Sequence, residues 1–112
     1  MNAISTASEV DTACEDRGSE CLVRLSGRIS IDSSPALRVF LFRRLQSPSC
    51  QTLTLDMSQV AYIDTSGLAV LVETLRAART RGKAVRVAEL TGRPRYLLET
   101  SRLMNLFDEA AL

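Results

Sequence analysis

Between Thr52 and Ala78 the apolar residues change their period. Leu53, Leu55 and Met57 alternate with Thr52, Thr54 and Asp56, the period of a strand. Leu68, Leu71, Val72, Leu75 and Ala78 then recur at the spacing of one helix face, and Ala84–Ala88, with Val85 and Val87, returns to the strand pattern. Two strands separated by an amphipathic helix imply parallel pairing through a crossover, because only that arrangement lays the helix stripe on the sheet.

The flanking sequence extends the scheme at both ends. Residues 1–8 are small and polar and read as a flexible N-terminus, ahead of a single domain over 9–112. Glu9–Cys14 alternates Val10, Thr12 and Cys14 against acids, and Cys21–Ser26 places Cys21, Val23 and Leu25 on one face. With Glu15–Glu20 as the turn, the two form a hairpin. Gly27 is expected to break the second strand. Ser33-Ser34-Pro35 reads as a helix start with a hydroxyl cap and a proline in the first turn. In that helix Leu37, Phe40, Leu41 and Leu45 make the apolar stripe, Arg38 faces water, and Arg43 and Arg44 complement the dipole near the C-terminus. Ser47-Pro48-Ser49 ends it. Val60–Ile63 is expected as a separate short apolar piece, and Gly82 as the stop of the helix before it. Thr91–Thr100 reads as a third helix, with Pro94 in its first turn and Leu97 and Leu98 inward; Leu103, Leu106 and Phe107 form a last turn or helix. The fold class is α/β: one mixed sheet of four to five strands with three to four helices, in the order β-β-α-β-α-β-α-α.

Composition excludes several functions. The chain of 112 residues has no histidine, which removes the commonest general base and metal ligand. Its three cysteines cannot close a disulfide framework. Cys14, Cys21 and Cys50 show no zinc spacing; three free thiols could sense redox state, but free cysteine is more often a small buried hydrophobe. No metal, cofactor or catalytic set is expected. Net charge is +1, but residues 1–20 carry five acids against Arg17 alone, so residues 21–112 hold a net +5. No basic run is interleaved with aromatics, which argues against nucleic-acid binding. The start is not a signal peptide, and the longest apolar run, Leu68 to Val72, is far too short to insert in a membrane. A cytoplasmic location with free thiols is the expectation.

The segment Asp64-Thr65-Ser66-Gly67 opens the helix that follows the central strand. Ser66 is thereby placed at a helix N-terminus, where unpartnered N–H groups and the dipole favour an anion. A phosphate on Ser66 would change the surface charge sharply without melting the helix, although Asp64 would repel it. An acid or hydroxyl here also serves as an ordinary helix cap, with Gly67 permitting close packing. Ser66 as a catalytic nucleophile has no base and no Gly-x-Ser-x-Gly elbow to support it.

This segment resembles the signature of STAS domains, the fold of anti-sigma-factor antagonists similar to SpoIIAA. The likeness extends to Leu25-Ser26-Gly27-Arg28-Ile29, to Leu53–Met57 with Val60–Ile63, to Arg81-Gly82-Lys83 with Val85-Arg86-Val87, and to Leu97-Leu98-Glu99 with Leu106-Phe107. The resemblance implies a non-enzymatic module that binds an anti-sigma factor, itself a serine kinase of the histidine-kinase-like ATPase type. Phosphorylation of Ser66, with Thr65 as a second acceptor, switches that binding off. It implies a partner-binding face of Gly27, Arg28, Ser30, Asp32, Asp64, Thr65, Ser66 and Gly67. An acid often lies three residues after the strand-end glycine in that family; here Ser30 stands there, with Asp32 two further on. STAS domains similar to MlaB, which are cytoplasmic subunits of lipid-transport ABC complexes, and those of larger sensory complexes supply the alternative partners.

Overall fold

The period change over Thr52–Ala78 is realised as a strand, a helix and a strand of one sheet. The computed structural model describes residues 10–110. Expectations for residues 1–8, for Glu9 and for residues 111–112 lie outside the described residues. The elements are β1 (Val10–Arg17), β2 (Glu20–Ile29), α1 (Ser34–Gln46), β3 (Thr52–Ile63), α2 (Thr65–Thr80), β4 (Ala84–Ala88), α3 (Gly92–Thr100) and β5 (Asp108–Ala110). A single five-stranded sheet runs β1-β2-β3-β4-β5. The β1–β2 hairpin is antiparallel and the other three pairings are parallel, as the crossovers require.

The centre of the sheet is β3, where Leu53–Met57 are all buried. Leu37, Leu41 and Leu45 of α1 and Leu68, Leu71, Leu75 and Ala78 of α2 join Val23, Leu25, Leu55 and Val87 in one core. Each fully buried Leu contributes about 1.5–3 kcal/mol relative to exposure. Phe40 and Leu97 are only partly buried against this core, whereas Leu98 is fully inside.

Several local expectations are corrected. The hairpin turn is tighter than Glu15–Glu20: β1 continues to Arg17, and Gly18, at φ 65°, turns the chain straight back into β2. Gly27 does not break β2. It lies inside the strand at φ 97°, next to register shifts between Arg24 and Ser26 and between Gly27 and Arg28, so the glycine accommodates a bulge. Thr52–Met57 and Val60–Ile63 are one twelve-residue strand, because β2 pairs along the whole of it. Ser33 does not cap α1 with its side chain. Its hydroxyl instead accepts from the Ser30 N–H at 2.9 Å and donates to the Arg28 carbonyl at 2.7 Å, tying the loop before the helix. Arg38 does face water, as expected, and there it pairs with Glu73 of α2 at 3.1 Å. After α3 there is no fourth α-helix among the described residues. Met104–Leu106 forms a single 3-10 turn that delivers Phe107 to the core and leads into β5.

Candidate functional site

The parallel pairing of β2 and β3 ends with Ile29 opposite Ile63. The two following loops therefore leave the sheet side by side, one toward α1 and one toward α2. Asp64 is the residue that joins them. Its main-chain N–H donates to the Ile29 carbonyl at 3.1 Å. One carboxylate oxygen accepts from the Gly67 N–H at 3.1 Å and so caps α2, while the other accepts from the Ile31 N–H at 3.2 Å. A single carboxylate thus satisfies one orphan amide of the helix and one of the neighbouring loop.

Gly67 is required by packing, not by backbone conformation. A Cβ on it would lie 2.6 Å from Ile63 Cγ1, 2.7 Å from Ile29 Cγ2 and 3.0 Å from the Ile29 carbonyl oxygen. The absence of a side chain lets the first turn of α2 sit directly on the ends of β2 and β3.

With Asp64 serving as cap, the hydroxyls of the next two residues are spared that task. Thr65 is exposed and Ser66 partly so. Among the described residues no hydrogen bond engages the Ser66 hydroxyl. Ser66 lines a cavity of about 280 Å³ between α1 and α2, together with Ser34, Pro35, Arg38 and Glu73. Arg38 is the one cation of that lining, and its guanidinium is held across the helix pair by Glu73.

The expected partner-facing residues divide into three groups. Asp64, Ser66 and Gly67 meet the loop of Ser30 at one end of the sheet. Ser30 is buried, its carbonyl accepts from the Ser33 and Ser34 N–H groups, and its hydroxyl accepts from the Asp32 N–H at 3.3 Å. Ser30 thus shapes the loop, and Asp32 is the exposed group beside it. Arg28 lies opposite Tyr62 on the paired strand, with its guanidinium 4.1 Å from the ring centroid; Arg93 of α3 covers the same ring at 5.2 Å. Gly27 lies further back within β2. The sequence reading missed Ile31. It is 70% exposed, the most exposed of the three large apolar residues at the surface among the described residues, and its backbone is bonded to Asp64. An isolated isoleucine between Ser30 and Asp32 belongs to no periodic stripe, so only its place after a strand-end glycine segment was available to mark it.

No catalytic constellation is present among the described residues, and no described helix is long and apolar enough to cross a membrane.

A family model described as "Mlab, STAS domain" matches residues 12–108. Among curated proteins, the chain is 25% identical over 85 residues to an anti-sigma F factor antagonist of Paenibacillus polymyxa, covering 76% of this chain and 73% of that one. Among solved structures, an anti-sigma factor antagonist from Mycobacterium paratuberculosis superposes with a TM-score of 0.80 at 23% identity, covering 89% of this chain and 84% of the other. The Bacillus cell-fate determinant SpoIIAA in its phosphorylated form superposes at 0.70 with 14% identity, covering 89% and 91%. Both superpositions agree with the fold derived above.

Proposed function

The chain belongs to the STAS-domain family, and from that premise we propose that it docks as a non-catalytic cytoplasmic subunit on a lipid-transport ABC complex of the MlaB type. The observation that carries a docking role is the exposed Ile31 held on a rigid frame by Asp64. An apolar side chain presented by a fixed loop, beside the start of α2 and ringed by polar groups, has the anatomy of an interface anchor. The MlaB description of the matching family supports the transporter as partner. The test is co-expression with the permease and ATPase subunits followed by size-exclusion chromatography. Co-elution that is lost in Ile31→Glu supports the reading; elution as a free small protein in their presence refutes it.

A second reading is favoured by the uncommitted hydroxyl of Ser66. In it the same face binds an anti-sigma factor of the histidine-kinase-like ATPase type, and phosphorylation of Ser66, or secondarily Thr65, releases that partner. The relative from Paenibacillus polymyxa supports it. Incubation with the kinase and ATP, read by mass spectrometry, decides the matter. One phosphate on the wild type and none on Ser66→Ala supports the switch; no phosphate, or equal phosphate on both, removes it.

A further inference from the structure

The fold gathers all three cysteines of the chain at one end of the β1–β2 hairpin. Cys14 is exposed on β1, Cys21 is buried at the start of β2, and Cys50 is buried just before β3. The register sets Cys14 opposite Val23 and Cys21 opposite Asp16, so the two thiols form a diagonal pair across antiparallel strands. Their sulfur atoms are 2.7 Å apart, well inside ordinary sulfur contact. The right-handed twist of a two-stranded ribbon shortens one diagonal, which brings such a pair within reach. Cys50 also lies beside Cys21. Burial, followed by the neighbouring Cys14 thiol, pushes the Cys21 thiol up, and burial likewise pushes Cys50 up.

We propose that Cys14 and Cys21 are a redox modification site, closed to an intramolecular disulfide by a hydroperoxide. Two features select this over a bound cation, although the Asp16 carboxylate completes a three-donor group whose ligand atoms lie within 4.8 Å of one another. A tetrahedral zinc ion with sulfur at ~2.3 Å holds its thiolates roughly 3.8 Å apart, so a metal has to push this pair open. A disulfide, at about 2.05 Å, needs the sulfurs only to close further. The division of exposure also fits an ordered reaction. The accessible Cys14 sulfur, as thiolate, attacks the distal oxygen of the hydroperoxide. An S–O bond forms, the O–O bond breaks, and the departing alkoxide or hydroxide takes up the proton that Cys14 had released, leaving a sulfenic acid and an alcohol or water. The Cys21 sulfur then attacks the Cys14 sulfur. The S–S bond forms, the S–O bond breaks, and the leaving hydroxide takes the Cys21 proton as water. Two thiols lose two electrons and two protons to one peroxide. Burial shields Cys21 from direct attack by the oxidant, while its contact with Cys14 leaves it placed for the second step. The product clasps β1, the exposed strand at one edge of the sheet, to β2.

The test uses the reduced full chain treated with hydrogen peroxide, then unfolded in denaturant, so that the buried thiols become accessible, alkylated with N-ethylmaleimide and analysed by intact mass and peptide mapping. The expected result is one alkylated thiol, Cys50, and a crosslinked pair of peptides containing Cys14 and Cys21. Cys50→Ser still forms the crosslink; Cys14→Ser, an exposed and structurally mild change, does not, and takes up two alkyl groups. Three alkylated thiols in the peroxide-treated wild type overturn the proposal. So does sulfinic acid on Cys14 without a crosslink, or a zinc ion that co-purifies one to one and blocks the crosslink until chelated.

Discussion

Replacing Gly67 by alanine separates packing from helix propensity. At an ordinary interior position the change favours the helix by about 1 kcal/mol. At Gly67 the new methyl would lie within 2.6–3.0 Å of Ile63 Cγ1, Ile29 Cγ2 and the Ile29 carbonyl. Both isoleucines are fully buried and β-branched, and the third atom is backbone, so none of them yields by rotating a flexible tip. Overpacking typically costs about 1–3 kcal/mol, and three unyielding neighbours put this site at the upper end. The net expectation is a loss of about 2 kcal/mol, with a Tm lower by roughly 8 °C for a domain of this size. Urea unfolding followed by circular dichroism measures it, with an unchanged m-value showing that the native state is still compact. Ala69→Gly, at an exposed position of the same helix, supplies the propensity term alone and is expected to cost at most ~1 kcal/mol. If Gly67→Ala equals or exceeds the wild type in stability, the close seating of α2 on β2 and β3 is not what the glycine is for.

Three further perturbations follow from the same geometry. Asp64→Ala removes the cap of α2 and the bridge to Ile31 together and is expected to cost about 1–2 kcal/mol in the same urea assay, with Asp64→Asn intermediate because its amide N–H₂ would face one of the two donors. Ile31→Ser is expected to leave stability within ~0.5 kcal/mol while weakening partner binding measured by calorimetry, because a side chain 70% exposed has little burial to lose on folding. A double-mutant cycle on Arg38 and Glu73 is expected to give a coupling below about 1 kcal/mol, since side-chain exposures of 52% and 41% leave the pair well solvated.

The sequence carried the parts of the fold that rest on periodicity. The strand identity of β3, the helix of α2 and the pattern of β4 were legible, but their buried faces only in part: both faces of the central strand are covered, so Thr54 and Asp56 are buried beside Leu53, Leu55 and Met57, and in α2 Val70 and Thr74 are buried while Val72 is only partly so. Boundaries that depend on pairing were not visible. Val60–Ile63 joins Thr52–Met57 only because β2 is long enough to pair with both, and Gly27 stays in β2 because a bulge absorbs its conformation. Ser33 has the composition of a helix cap, but its hydroxyl serves the Ser30 and Arg28 backbone. Around Asp64, Ser66 and Gly67 the helix start of the candidate site was legible, though not the division of labour that frees Ser66. Ile31 and the meeting of Cys14 with Cys21 depend on which loops and strands become neighbours, and linear spacing is silent on that.

The bonding of Asp64 also constrains how this face could be gated. The two loops are fixed to each other through its carboxylate and its N–H, and α2 is seated on the sheet through Gly67. A charge added at Ser66 has no loose segment to rearrange, so its effect on a partner must be electrostatic. Asp64 repels a new anion. Arg38, in the same cavity, attracts it and gives up only a solvated pairing with Glu73 worth at most ~1 kcal/mol. Ser66→Asp is therefore expected to leave the far-ultraviolet circular dichroism and the Ile31 amide resonance unchanged. Partner affinity is expected to fall at least tenfold, a difference of about 1.4 kcal/mol, through desolvation of the new charge. Unchanged affinity with an intact fold would show that Ser66 lies outside the contact. A lost helical signal would show that the face is deformable and that Asp64 does not hold it.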